Sequence, residues 1–246
     1  MPQQYFWIIT CFNREYYFSP YLILNGVGLI ISLLILDNVL NFSFNIERNK
    51  IYSLYVFSIV AGWVGAHFFD FIVKYPQLNS HAGFTFYGGF LSGLIFFCML
   101  FLYFFNKKNL LQALDAGVIP LIVAQAIGRV GCYFSGCCYG KAIKTTNFFT
   151  NFFDRHPTQL YESAFLICIL IIIYLKNKYK VLILNIYVYI FCYGFFRFFI
   201  EFLRDDYRGV YLLNLSPSQW ISTFLVLFCL LTYLNYLARN RAKLKD

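Results

Sequence analysis

Two arginines and a glutamate stand in stretches otherwise apolar enough to span lipid. Arg129 lies in DAGVIPLIVAQAIGRVGCYFSGCCYG, and Arg197 and Glu201 lie in YVYIFCYGFFRFFIEFLRDD. A charge near a bilayer centre costs at least about 2.5–3.5 kcal/mol, so such residues normally face a polar interior and have a function there. On a helix, Arg197, Glu201 and Arg204 share one stripe within about 60° of arc. Glu201 then reaches either guanidinium by an i,i+4 or i,i+3 contact. Guanidinium rather than ammonium suits bidentate phosphate binding. Glu201 alone cannot neutralise Arg129, Arg197 and Arg204, and the surplus positive charge invites an anion. The competing reading is a structural ion pair that ties two helices together.

Other residues flank these charges. Gly128-Arg129-Val130-Gly131 is followed by Gly136 and Gly140. Such glycines admit either a headgroup or a second helix backbone. Tyr87-Gly88-Gly89 opens an apolar run, with Gly93 beyond it. It reads either as packing or as a hydroxyl at the membrane boundary that meets substrate. Arg155-His-Pro-Thr-Gln-Leu-Tyr-Glu162 is the most distinctive string. A helix start accounts for Pro157 at its beginning and for Thr158 as a cap. It does not account for Arg155, His156, Gln159, Tyr161 and Glu162 together. Of the eight cysteines, Cys132, Cys137 and Cys138 cluster. Their spacing lacks paired C-x₂-C units and a clear fourth ligand, which argues against zinc. A disulfide or plain burial remains. The trio His67, Asp70 and His81 also lacks a fourth metal ligand.

These residues need a frame that can hold them in lipid. The chain has 246 residues, 60% of them hydrophobic and only 13% charged. Its mean hydropathy is +0.63. Soluble domains carry about 25% charged residues. The expected fold is therefore an all-α integral membrane bundle, one polytopic domain over residues 1–246 with short extracytoplasmic loops. Seven spans are expected, near residues 20–40, 51–73, 87–105, 111–130, 158–175, 181–203 and 218–237. The fourth is weakened by Gly117, Pro120 and Gly128. The net charge of +9 resides in short loops between spans, which excludes nucleic acid as a partner and suits anionic lipid. Loop Lys and Arg predict the N-terminus outside and the C-terminus in the cytoplasm. The N-terminal segment lacks the pattern of a signal peptide.

Taken together, these strings resemble the prolipoprotein diacylglyceryl transferase family. The matching pieces are Tyr75-Pro76-Gln77, Phe86-Tyr87-Gly88-Gly89, the block from Asp115 through Gly128-Arg129-Val130-Gly131 to Gly140, Arg155 to Glu162, and Tyr193-Gly194-Phe195-Phe196-Arg197 with Glu201 and Arg204. They run in family order. The resemblance implies seven spans in the bacterial cytoplasmic (inner) membrane, with no metal or redox cofactor. It implies transfer of the diacylglyceryl group of phosphatidylglycerol to the thiol of a lipobox cysteine in a prolipoprotein, with release of glycerol phosphate. It matches Arg129 and Arg197 to the family's essential arginines, Glu201 to the paired glutamate and Gly140 to a family glycine. The expected catalytic set is Arg129, Arg197, Glu201, His156 and Tyr87. The expected phosphatidylglycerol contacts are Arg129, Arg197, Arg204, Gly88, Gly89, Gly140, Gln159, Tyr161 and Asn25. The partners are membrane lipid and the prolipoprotein segment, and the protein is expected as a monomer.

The chain departs from the family at several points. The family usually has His-Gly-Gly where this chain has Tyr87-Gly88-Gly89, which leaves the base unassigned. A tyrosine near its reference pKa of about 10 is a poor base at neutral pH, and His156 is the natural substitute. Asn25-Gly26 stands at a family Tyr-Gly position, and Cys132 stands at an Asn position. About 15 residues separate Gly140 from the Arg155 string, where better-known members carry a larger insertion. Two alternatives stay open: a related transferase with the same lipid donor and another acceptor, or a non-catalytic lipid-binding or transport protein.

Overall fold

The fold is taken from a computed structural model, which describes residues 7–11, 14–43, 48–74, 86–105, 107–143, 153–181, 183–205 and 213–243. A short antiparallel hairpin comes first, β1 (Trp7–Cys11) and β2 (Arg14–Phe18), with Trp7 opposite Phe18. Among the described residues, eight helices follow. They are α1 (Pro20–Ser43), α2 (Arg48–Lys74), α3 (Phe86–Phe104), α4 (Leu110–Ala116), α5 (Val118–Phe134), α6 (Thr158–Lys178), α7 (Asn185–Ile200) and α8 (Pro217–Lys243). A 3₁₀ turn precedes α4 and another, Glu201–Leu203, follows α7.

Among the described residues, six segments are long and apolar enough to cross a membrane, and Gly88–Phe104 is a shorter apolar helix. This matches the expected all-α bundle. The hairpin before α1 is an addition to it, built from aromatic and β-branched residues that favour strands. The fourth span is interrupted at Gly117, where α4 ends and α5 begins. Large apolar side chains such as Leu22, Leu34, Phe57, Phe68, Phe195 and Phe228 stand exposed along the helices. So much outward apolar surface requires lipid as its solvent. The protein is a multi-pass membrane protein.

The chain divides into two compact units. The first contains Met1–Ile35, Val118–Tyr207 and Ser222–Asp246, and the second contains Leu36–Gly117 and Arg208–Ile221. In the second unit, α2 and α3 meet through small residues: a Cβ on Gly89 would stand 3.1 Å from the Gly62 carbonyl oxygen. Leu54, Phe97, Phe101 and Ala113 form its core, and the Tyr55 hydroxyl donates to the Ala113 carbonyl. At the start of α8, the Ser216 N–H donates to Gln219 Oε1 (2.8 Å), and the Gln219 N–H donates back to Ser216 Oγ (3.2 Å). This reciprocal cap, with Pro217 at the first helical position, satisfies amides the helix leaves open.

In the first unit, α1 lies against α5, and α5 packs against α6 and α7. A Cβ on Gly128 would stand 2.8 Å from Asn25 Oδ1, and one on Gly131 would stand 3.2 Å from Leu24 Cβ. The glycines around Arg129 therefore admit helix α1, the packing reading of that motif. Between α6 and α5, the Ser163 hydroxyl donates to the Ala126 carbonyl at 3.0 Å. This contact fixes the height of α6 beside Arg129.

Candidate active site

The centre of the first unit is a carboxylate, Glu162, with no solvent exposure. It lies one turn into α6, where the apolar run begins. Helix α5 brings Arg129, whose Nε is 2.9 Å from Glu162 Oε1. Helix α7 carries Tyr189, Tyr193 and Arg197 at successive four-residue steps, so all three line one face. The Tyr193 hydroxyl donates to Glu162 Oε1 at 2.6 Å, and the Tyr189 hydroxyl donates to Gln125 Oε1 at 2.8 Å. Arg197, 2% exposed, pairs through Nη2 with Glu201 Oε2 at 2.6 Å, the i,i+4 contact expected from the sequence. Arg197 Nη1 and Arg204 Nη1 each stand 4.0 Å from Glu162 Oε2. That separation is ionic contact beyond hydrogen-bond length.

Three guanidinium groups thus surround one buried carboxylate, with a second carboxylate on the flank. Among the described residues two carboxylates stand against three guanidiniums, in a setting where charge interacts strongly. Glu162 Oε2 makes no hydrogen bond among the described residues. The arrangement fits a group that carries negative charge and several acceptor oxygens, such as a phosphodiester. Glu162 was absent from the expected site set, although it closes the string that begins at Arg155. The rule that singled out Glu201, a carboxylate on an otherwise apolar span, applies equally to Glu162.

The loop after α5 is held from two sides. The Gly140 N–H donates to the His156 carbonyl (2.9 Å), the His156 N–H donates to the Lys141 carbonyl (3.0 Å), and the Lys141 N–H donates to the Leu203 carbonyl (2.8 Å). Bridges pair Gly140 with Arg204 and Ala142 with Arg155. A Cβ at Gly140 would stand 2.7 Å from both His156 Cβ and the Leu203 carbonyl oxygen. Only glycine fits between these two segments, which explains its place beside Arg204.

His156 is half-buried, with Nδ1 3.5 Å from the Tyr161 hydroxyl. Gln159 Nε2 donates to the Cys137 carbonyl, while its buried Oε1 makes no hydrogen bond among the described residues. Thr158 differs from expectation. No side chain caps α6, and its Oγ1 donates instead to the Cys138 carbonyl at 2.8 Å. With Pro157 at the cap position, Thr158 is already the first helical residue, so its hydroxyl turns to the neighbouring loop. Asn25 Nδ2 donates to the Tyr21 carbonyl at 2.7 Å, and Oδ1 abuts Gly128.

Of the expected residues, the first unit holds Arg129, Arg197, Glu201, Arg204, Gly140, His156, Gln159, Tyr161 and Asn25. Gly88 and Gly89 belong to the second unit, where the Gly88 carbonyl accepts from Ser92 Oγ (2.7 Å) and Gly89 packs on Gly62. Tyr87 lies in the first turn of α3, but its side chain falls outside the described residues. So do Tyr75-Pro76-Gln77 and His81.

Among the described residues the cysteines are free thiols. The sulfurs of Cys132, Cys137 and Cys138 lie within 4.8 Å of one another. Hydrogen bonds from the Cys132 and Cys137 thiols, followed by the guanidiniums of Arg204 and Arg129, hold the Cys138 thiol below its ordinary pKa despite burial, while hydrogen bonding within the same cluster and burial push the Cys137 thiol up.

The sequence profile of the prolipoprotein diacylglyceryl transferase family matches residues 14–235. The chain is 30% identical over 229 residues to phosphatidylglycerol–prolipoprotein diacylglyceryl transferase 2 of Clostridium perfringens, covering 85% of this chain and 87% of that protein. It is 30% identical over 200 residues to the phosphatidylglycerol–prolipoprotein diacylglyceryl transferase of Clostridium tetani, covering 74% and 78%. It is 34% identical over 160 residues to the enzyme of that name from Streptococcus sanguinis, covering 59% of each.

Proposed function

Because the chain belongs to the prolipoprotein diacylglyceryl transferase family, we propose that it moves the diacylglyceryl group of phosphatidylglycerol to a lipobox cysteine thiol of a prolipoprotein. The observation that carries this reading is the convergence of Arg129, Arg197 and Arg204 on Glu162 inside the membrane-spanning region. Three guanidiniums on one buried carboxylate form a rigid frame for a phosphodiester.

In this reading the acceptor sulfur attacks as thiolate, since the thiol is a weak nucleophile. A carbon–sulfur bond forms at the glycerol carbon of the diacylglyceryl group, and the carbon–oxygen bond to phosphate breaks. The electron pair stays on the phosphate oxygen, and glycerol phosphate leaves. Arg129, Arg197 and Arg204 stabilise the negative charge that develops there, where preorganised donors act most strongly. Glu162 and Glu201 hold the guanidiniums at fixed spacing. His156, beside Tyr161, takes the thiol proton. Gly140, Gln159 and Asn25 lie around the headgroup. The enzyme works as a monomer in the bacterial cytoplasmic membrane, with its N-terminus outside.

The test is incubation of the purified protein with phosphatidylglycerol labelled in its acyl chains and a lipobox peptide. Label on the peptide cysteine, absent with Arg129→Ala and Arg197→Ala, supports the reading. Lipid consumed without peptide label, binding without turnover, or near-normal turnover in both variants overturns it.

A further inference from the structure

Beside the arginine cluster lies a second group of reactive side chains that the transfer reaction leaves unused. Cys132 occupies the last turn of α5 and is buried, while Cys137 and Cys138 follow in the loop after it. The spacing alone argued against a metal, yet the fold draws the three sulfurs together. Each lies within 4.8 Å of the others. A zinc ion at about 2.3 Å from each of three sulfurs in tetrahedral geometry sets them about 3.8 Å apart. The side chains need close by only about 1 Å to reach that spacing.

The loop is built to keep this arrangement. After α5 the chain turns back on itself: the Cys137 N–H donates to the Cys132 carbonyl at 3.2 Å. Gly136 has φ 66° and Cys138 has φ 62°. The left-handed region is unfavourable for a residue with a Cβ, and such positions persist only where surrounding structure determines them. Here Gln159 and Thr158 hold the carbonyls of Cys137 and Cys138 from the first turn of α6. From α1, the Tyr21 N–H donates to Ser135 Oγ at 3.0 Å. Two separate helices therefore brace one strained segment whose side chains are thiols.

The chemistry of the surroundings selects the occupant. Arg129 stands about one turn before Cys132 on α5, and Arg204 is bridged to Gly140, two residues after Cys138. They oppose a bare cation. Three thiolates around a divalent or monovalent ion, however, make a complex of net negative charge, which the two guanidiniums favour. Thiolate ligands select soft ions such as zinc(II) and copper(I). A disulfide would use two sulfurs and leave the third without a role, whereas one ion uses all three. We propose that Cys132, Cys137 and Cys138 form a three-thiolate site for one thiophilic d¹⁰ ion, with the fourth coordination position left to water or a further ligand.

The site stands independently of the transferase reading, and its test needs no turnover. Full-length protein in detergent is reduced, freed of metal under anaerobic conditions and titrated with cadmium(II) alone. The expected result is one equivalent bound per chain, with a sulfur-to-cadmium charge-transfer band in the ultraviolet. Zinc(II) and copper(I), titrated separately, displace it and rank the two ions. Cys132→Ser, Cys137→Ser and Cys138→Ser each weaken cadmium binding at least about tenfold, whereas Cys98→Ser and Cys192→Ser leave it unchanged. Two results overturn the proposal in the wild-type protein, whatever the variants do. One is no band with all three thiols shown to be reduced. The other is protein isolated from cells with two of the three joined in a disulfide. A band that survives all three substitutions also overturns it.

Discussion

Arg129 and Glu162 meet at 2.9 Å across the interface of α5 and α6, with the Arg129 side chain 10% exposed and that of Glu162 fully buried. They come from two motifs 33 positions apart in the sequence. Their contact turns a pair of unrelated charged spans into one site. It also makes Glu162 the shared counter-ion of Arg129, Arg197 and Arg204.

Glu162→Gln keeps the side-chain volume and removes the charge. Three buried guanidiniums then face one carboxylate, and breaking such a buried pair costs about 3–5 kcal/mol. The variant is expected to unfold at clearly lower temperature in detergent and to lose lipid transfer. Thermal unfolding and the labelled-lipid assay, read together, check this; an unchanged melting temperature would show that Glu162 does not hold the cluster.

Tyr193→Phe removes only the hydroxyl that donates to Glu162 Oε1 at 2.6 Å. A hydrogen bond to a charged group contributes about 1.5–3 kcal/mol. The expected loss of stability is smaller than for Glu162→Gln. The two effects should not add in the double variant, since both act on one carboxylate. A double-mutant cycle on thermal stability measures this.

Arg197→Lys retains a positive charge and loses the planar fork that spans Glu201 and the Glu162 side of the cluster. Turnover with phosphatidylglycerol is expected to fall about 10²-fold, the scale seen when one preorganised donor is removed. Helicity should be retained. Near-normal turnover would mean that charge alone, without bidentate geometry, serves the reaction.

Gly140→Ala places a methyl group 2.7 Å from the Leu203 carbonyl oxygen and from His156 Cβ. Backbone lies on both sides, so the loop must move away from Arg204 or from His156. The expected outcome is strongly reduced transfer in a protein that still inserts and folds, measured by the labelled-lipid assay alongside circular dichroism.

Arg155 and Asp205 make an equally short contact, 2.8 Å, but each side chain is 47% exposed. Exposed pairs contribute only about 0–1 kcal/mol. Asp205→Asn is therefore expected to leave thermal stability nearly unchanged, and the contrast with Glu162→Gln measures what burial adds at similar distance.

Composition and hydrophobic runs by themselves determined that this is a helical membrane protein and placed its apolar segments, because lipid allows few ways to satisfy a spanning backbone. The four-residue step from Arg197 to Glu201 also dictated their contact, since Glu201 continues the helical backbone at the end of α7. The order of motifs identified the family. What no local pattern carried was which distant side chains share a partner. Glu162 became the centre only when α5, α6 and α7 packed together. The glycines beside Arg129 proved to admit α1, and the Thr158 hydroxyl turned from helix cap to loop brace. Likewise, three cysteines whose spacing fits no metal motif converge because Cys138 takes a left-handed backbone held by α6. Each of these depends on contacts between elements far apart in the chain, and periodicity within one segment does not encode them.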